Sequence, residues 1–226
     1  MLLLSSEFFQ NYVIFIRERY PDLLQATREH LTISAVALAL GVLVAVPTGM
    51  LLAHYPAKWA RTGIFGIANI FQTIPSLALL ALLIPLFGIG VKPAVLALFL
   101  YSLMPILRNT YTGFRSVDPA ILESARGMGY GPAQRLLRIQ FPLAFPYIMS
   151  GIRVTTVYII SWATLASLIG AGGLGQLIVS GIGVNKEELI VSGAVAAIVL
   201  ALLADGVLGR IEKRVARKAH PTAVSK

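Results

Sequence analysis

The sequence predicts an all-α integral membrane protein with five transmembrane helices. An N-terminal amphipathic interfacial helix precedes them, and a helical segment lies on the cytoplasmic side. Three observations predict this. The chain of 226 residues is 57% hydrophobic and only 13% charged, against roughly 25% charged residues in a soluble domain. Charge-free apolar runs of spanning length recur along it. Its Lys and Arg residues sort to one side of those runs. The absence of cysteine removes disulfides, thiolate metal sites and Cys nucleophiles. A formal charge of +9 needs no nucleic acid, because basic cytoplasmic loops already produce such an excess. Met1–Ser6 has no basic start and is too short for a signal peptide.

Residues 1–28 place Phe9, Tyr12, Ile16 and Tyr20 at helical spacing beside Glu7, Arg17, Glu18 and Arg19. This pattern predicts an amphipathic helix lying in the membrane interface. The clustered charges argue against the alternative, a poor first span. A transmembrane domain covers 29–210. Its first span is Leu31–Ala53, free of charge, and about 20 residues cross the hydrocarbon. The second is Ile64–Phe87, with Gln72, Thr73, Pro75 and Ser76 inside it. The third begins at Pro93 and runs to about Thr112, the fourth is Leu143–Ile169, and the fifth is Leu189–Gly209. Residues 211–226 form a basic tail.

Of the nineteen Lys and Arg residues, Arg153 falls inside the fourth span and thirteen fall on one side of the spans, from Lys58 and Arg61 through Arg108–Arg138 to the tail. Arg17, Arg19, Arg28, Lys92 and Lys186 fall on the other. The richer side is cytoplasmic, so the N-terminus is expected outside and the C-terminus inside.

One polar stretch, 118–142, carries its own helix signals. Asp118 can cap a helix and Pro119 fits its first turn. Gly129 and Gly131 can stop that helix, and Pro132 can start another. Leu136, Leu137 and Ile139 alternate with Arg135, Arg138 and Gln140, so the second piece is amphipathic. Two short helices broken by glycines, brought into close contact at Gly129, make a rigid cytoplasmic knob suited to docking.

The spacing in this stretch resembles the permeases of binding-protein-dependent ABC importers. Those carry Glu-Ala-Ala, three residues, Gly, nine residues, then Ile-x-Leu-Pro. Here the corresponding residues are Glu123, Ser124, Ala125, Gly129, Ile139 and Pro142. Ser124 and Phe141 are departures from Ala and Leu. Within that family the chain resembles permeases for osmoprotectants, through Gly170–Gly175, Asn185, and Gly193-Ala194 opening the helix that carries Asp205. The resemblance covers roughly Glu29 to Arg210. It implies a type I ABC importer permease-like fold in a bacterial cytoplasmic membrane. It further implies a non-catalytic subunit that forms the pathway for glycine betaine, choline or carnitine. Its partners would be a separate ABC ATPase docked on 118–142, an extracytoplasmic substrate-binding protein, and a second permease copy or paralogue. No cofactor is implied in this chain, since ATP and Mg²⁺ belong to the ATPase. The chain itself has no G-x-x-x-x-G-K-[ST] sequence for ATP. The runner-up is a methionine-type or other small amino-acid importer.

Other motifs each carry a functional and a simpler reading. Gln72, Thr73, Pro75 and Ser76 read as a pathway-lining kink or as interhelical hydrogen bonding, either way facing the bundle interior. Gly170–Gly175 matches G-x-G-x-x-G literally, but a dinucleotide site needs a preceding strand and a βαβ unit. A tight external turn or re-entrant segment is the better reading, and the resemblance makes Gly172, Gly173 and Gly175 gate candidates. Tyr101, Tyr158 and Trp162 invite a cation cage, with packing as the simpler role. Arg153 and Asp205 are the charges within the fourth and fifth spans. Charge in a bilayer needs a partner, so they are expected to pair. A small-residue stripe, Gly193, Ala197, Ala201 and Gly209, aims Asp205 at protein. No metal site is expected. An intramembrane hydrolase is disfavoured because His30, His54 and His220 lie at or beyond segment ends. A secondary transporter commonly shows intramembrane acids and repeated halves. Here Asp205 stands alone and no repeat is visible.

Overall fold

The computed structural model describes residues 6–219, which form nine α-helices and no strand. In order they are α1 (Ser6–His54), α2 (Lys58–Thr73), α3 (Ser76–Phe87), α4 (Val91–Arg115), α5 (Pro119–Gly127), α6 (Pro132–Arg135), α7 (Phe141–Ala166), α8 (Leu174–Gly183) and α9 (Glu187–Ala219). A π-helical turn, Leu136–Gln140, joins α6 to α7, and a 3₁₀ turn, Ser167–Ile169, ends α7. Among the described residues four helices are long and apolar enough to cross a membrane, or five spans result if α2 and α3 count as one. The all-α membrane fold class therefore holds, with four differences in detail.

First, no break separates residues 6–28 from the first span, because α1 is one helix of 49 residues. The expected boundary at Glu29 is not an element boundary. Charge at Arg17–Arg19 decides where a helix meets water, not where its backbone hydrogen bonds stop. Residues 1–5 of that expected helix lie outside the described residues. Second, the second span is two helices, broken at Pro75. Proline removes a donor and forces its predecessor out of the helical region. Pro75 is itself extended, with ψ 139, and its carbonyl accepts from Leu79 N–H to open α3. Third, the second knob helix does not stand alone but continues into the fourth span. Fourth, the tail is helical through Ala219; residues 220–226, with His220, lie outside the described residues.

The chain divides into two compact units. One comprises the chain up to Ala37, Ile74–Leu98 and Tyr158–Leu202. Its interior holds Ile33 and Ala37 of α1, Leu79 and Leu83 of α3, Ala94 of α4, Ile159 and Ala163 of α7, and Leu174 of α8. The other comprises Leu38–Thr73, Phe99–Val157 and the chain from Leu203 onward. Its interior gathers Ala45, Leu52, Ala68, Met104, Ile106 and Leu107, with a second cluster of Phe114, Ala144 and Ile148. Small residues let its helices approach closely. A Cβ at Gly41 or Gly49 of α1 would collide with Ser102 or Thr110 of α4, and one at Gly151 of α7 with Asn109 of α4.

Candidate functional site

The segment from Asp118 to Pro142 is built by local signals. The Asp118 carboxylate accepts from Ala120 N–H at 2.8 Å, with Pro119 in the first turn of α5. At the other end Gly129 N–H donates to the Arg126 carbonyl and Tyr130 N–H to the Ala125 carbonyl, each at 3.0 Å. This pair of bonds is the Schellman stop, which needs a left-handed residue. Gly129 supplies it, with φ +83. Gly131 N–H then donates to Gln134 Oε1 at 3.0 Å, and Pro132 opens α6.

Of the predicted coupling residues, Glu123, Ser124 and Gly129 are exposed and Ala125 is buried. The small residue of the triplet is thus the one that packs inward. Ile139 is half-buried and Pro142 exposed. The expectation of close helix contact at Gly129 is corrected, because a Cβ there would meet nothing within 4 Å. Its requirement is backbone conformation, not space. The π turn before Pro142 also has a physical reason. In a regular α-helix a proline ring clashes with the carbonyl four residues back, and a wider turn relieves that crowding. Phe141 N–H accordingly reaches back to the Leu136 carbonyl.

The glycine turn after α7 is built differently. Gly170, Gly172 and Gly173 all have positive φ, between 74 and 80. Gly170 closes another Schellman stop, through its own N–H to the Ser167 carbonyl and Ala171 N–H to the Ala166 carbonyl. Glu29 of α1 then accepts from Gly173 N–H at 3.0 Å while taking a second bond from Gln25. The loop after α3 joins in, with Gly90 N–H on the Ile169 carbonyl at 2.8 Å. Beside Glu29, the buried His30 donates through Nε2 to the Ile160 carbonyl of α7 at 2.9 Å. A Cβ at Gly175 would overlap the Thr164 carbonyl, so α8 starts directly on α7. Sequence reasoning missed Glu29 and His30. The available signal was the Gln25–Glu29 spacing of four, which places both on one face of a continuous helix.

Gln72, Thr73 and Pro75 are exposed and Ser76 is half-buried. Gln72 therefore does not turn into the interior of its own chain, contrary to expectation. Thr73 Oγ1 bonds the Ile70 carbonyl at 2.8 Å. Tyr158 and Trp162 stack on each other at 5.6 Å, and Tyr101 is buried. Among the described residues no three of His, Asp and Glu gather as metal ligands would.

Arg153 forms a two-pronged pair with Asp205, Nε to Oδ1 at 2.6 Å and the second prong at 2.8 Å. Its third nitrogen reaches Glu212 at 3.1 Å. Sequence reasoning missed Glu212, which lies beyond the expected helix end near Gly209. Asp205, Gly209 and Glu212 share one face at spacings of four and three. A Cβ at Gly209 would come to 3.0 Å from the guanidinium carbon, so the glycine gives the planar fork room to lie across the helix. Planar, two-pronged geometry is what arginine does better than lysine.

Apolar helices of spanning length, joined by a capped and exposed helical segment, define a polytopic membrane protein. The chain belongs to the family of binding-protein-dependent transport system inner membrane components, whose profile matches residues 45–217. It is a multi-pass permease of the ABC-importer type. It is 52% identical over 202 residues to the choline transport system permease protein OpuBB of Bacillus subtilis (strain 168), covering 89% of this chain and 92% of that one. It is 46% identical over 207 residues to the carnitine transport permease protein OpuCB of Listeria monocytogenes, covering 92% and 94%. Among solved structures it is similar to a MetNI methionine ABC transporter in inward facing conformations, with TM-score 0.77 and 26% identity over 85% of this chain and 95% of that one.

Proposed function

We propose that this chain is the permease subunit of an osmoprotectant importer, forming the pathway for a quaternary ammonium solute such as glycine betaine, choline or carnitine. The observation that supports the substrate class is the 52% identity to a choline permease over nine-tenths of both chains. Likeness to a methionine transporter, at 26%, is the weaker claim on substrate.

The segment 118–142 docks a separate ATPase, which holds the ATP and Mg²⁺ and does the hydrolysis. Closure of the ATPase moves the docked α5 as a rigid body, and the displacement switches access. Two permeases, identical or paralogous, flank the pathway, and a binding protein delivers solute from outside. The edge formed by the exposed Gln72, Thr73 and Pro75 and the half-buried Ser76 belongs to the pathway, and the turn at Gly172, Gly173 and Gly175 to the external gate. Arg153 and Asp205 are structural. The N-terminus is outside and the C-terminus cytoplasmic, on the strength of the basic-residue asymmetry. The test is uptake of labelled glycine betaine, choline, carnitine and methionine by the reconstituted complex. Transport of methionine alone would overturn the substrate class.

A further inference from the structure

The end of α1 meets the far end of the 118–142 segment at one side chain, His54. Its Nδ1 lies 2.8 Å from the Met50 carbonyl and its Nε2 2.5 Å from the Gln140 side-chain oxygen position. A carbonyl only accepts, so Nδ1 carries the proton. A neutral imidazole then accepts at Nε2 from the Gln140 amide turned over, and an imidazolium donates to its oxygen. Either way the His54–Gln140 bond forms.

The contact is not isolated. The His54 ring meets Phe114 edge-on, with centroids 5.7 Å apart, and Phe114 lies 6.3 Å from Phe141. Met50 and Ala53 of α1 and Leu136 of the π turn pack on the same buried cluster, Phe114, Ala144 and Ile148. Phe114 precedes the Asp118 cap by four residues, and Phe141 ends the π turn. The helix end that leads into the segment and the segment's far end are thereby both fastened to the last turns of α1. Apolar packing fixes distance but slides easily, whereas a directed hydrogen bond fixes register. The π turn matters because one extra residue in a turn rotates the helix beyond it, and such turns recur at functional sites.

We propose that His54 is a positioning residue for transport. It locks Gln140 to the end of α1, so that displacement of the segment by its ATPase is passed to α1. This rests on the reading of 118–142 as the docking segment. The test uses the whole transporter, purified through a tag on the ATPase subunit and reconstituted with its binding protein. The probe is whichever of labelled choline, glycine betaine and carnitine it imports best. His54→Ala should keep the ATPase subunit bound and hydrolysing, while ATP consumed per solute imported rises about tenfold, within the range of a single coupling contact. The exchange His54→Gln with Gln140→His should restore most of the coupling. His54→Asn, which keeps a donor for Met50, should uncouple like alanine and carries the test if alanine fails to fold. An unchanged ratio in the single variants, or an exchange that stays uncoupled, overturns the proposal. Gly129→Leu separates the two readings. If it keeps uptake and its ATPase, the docking reading fails. If it loses them while His54→Ala stays coupled, only the role of His54 falls.

Discussion

Gly129 and Gly170 end their helices with the same two hydrogen bonds and the same left-handed backbone. Their surroundings differ completely. Around Gly170 the turn is crowded: Glu29 lies 2.6 Å from where a Gly172 Cβ would sit, and His30 3.1 Å from that of Gly173. A Cβ added at Gly127 or Gly129 would meet nothing within 4 Å. The same stop motif thus serves a clamp in one place and an unencumbered, exposed segment in the other. Local chemistry sets the chain reversal, and packing decides whether the reversal can move.

The comparison breaks first at Gly175. Gly175→Ala drives a Cβ into the Thr164 backbone carbonyl, which cannot step aside. The expected loss is about 3 kcal/mol, the upper end for overpacking. A large fall in the apparent melting temperature of the solubilised chain would show it, and an unchanged one would mean that α7 and α8 are less tightly apposed.

Removing the clamp without adding bulk should cost less. Glu29→Ala strands the Gly173 N–H and releases Gln25. Discounted for partial exposure, this is about 1 kcal/mol. Faster hydrogen exchange confined to 170–175 is the expected signature, and exchange unchanged there would remove Glu29 from the clamp.

At the exposed turn around Gly129 the effects on stability are smaller. Gly129→Ala meets no neighbour, so its only cost is the left-handed backbone, about 1 kcal/mol. Gly129→Asn should cost a few tenths. This chain supplies the precedent: Asn185, at φ 52, ends α8 with the same pair of bonds, to the Ile182 and Gly181 carbonyls. Melting temperatures in the order wild type, Asn, Ala would support a conformational role for Gly129. Equal losses for Asn and Ala would point to crowding instead.

The sequence by itself determined what acts within one turn of the backbone. Asp118-Pro119, Gly129 and Gly131-Pro132 announced their helix ends because a cap or stop involves residues two to five apart. It also determined the all-α membrane class, since lipid demands long apolar helices whose backbone groups pair internally. Arg153 and Asp205 were legible as partners, because charge is scarce in apolar spans. Only the tertiary structure decided the rest. It decided that the second span breaks into two helices at Pro75, since a proline permits either a kink or a break. It extended α9 far enough for Glu212 to complete the Arg153 cluster. It brought Glu29 to Gly173 and His54 to Gln140, contacts across 144 and 86 residues. No periodicity encodes such a meeting, because it depends on which helices the folded bundle makes neighbours.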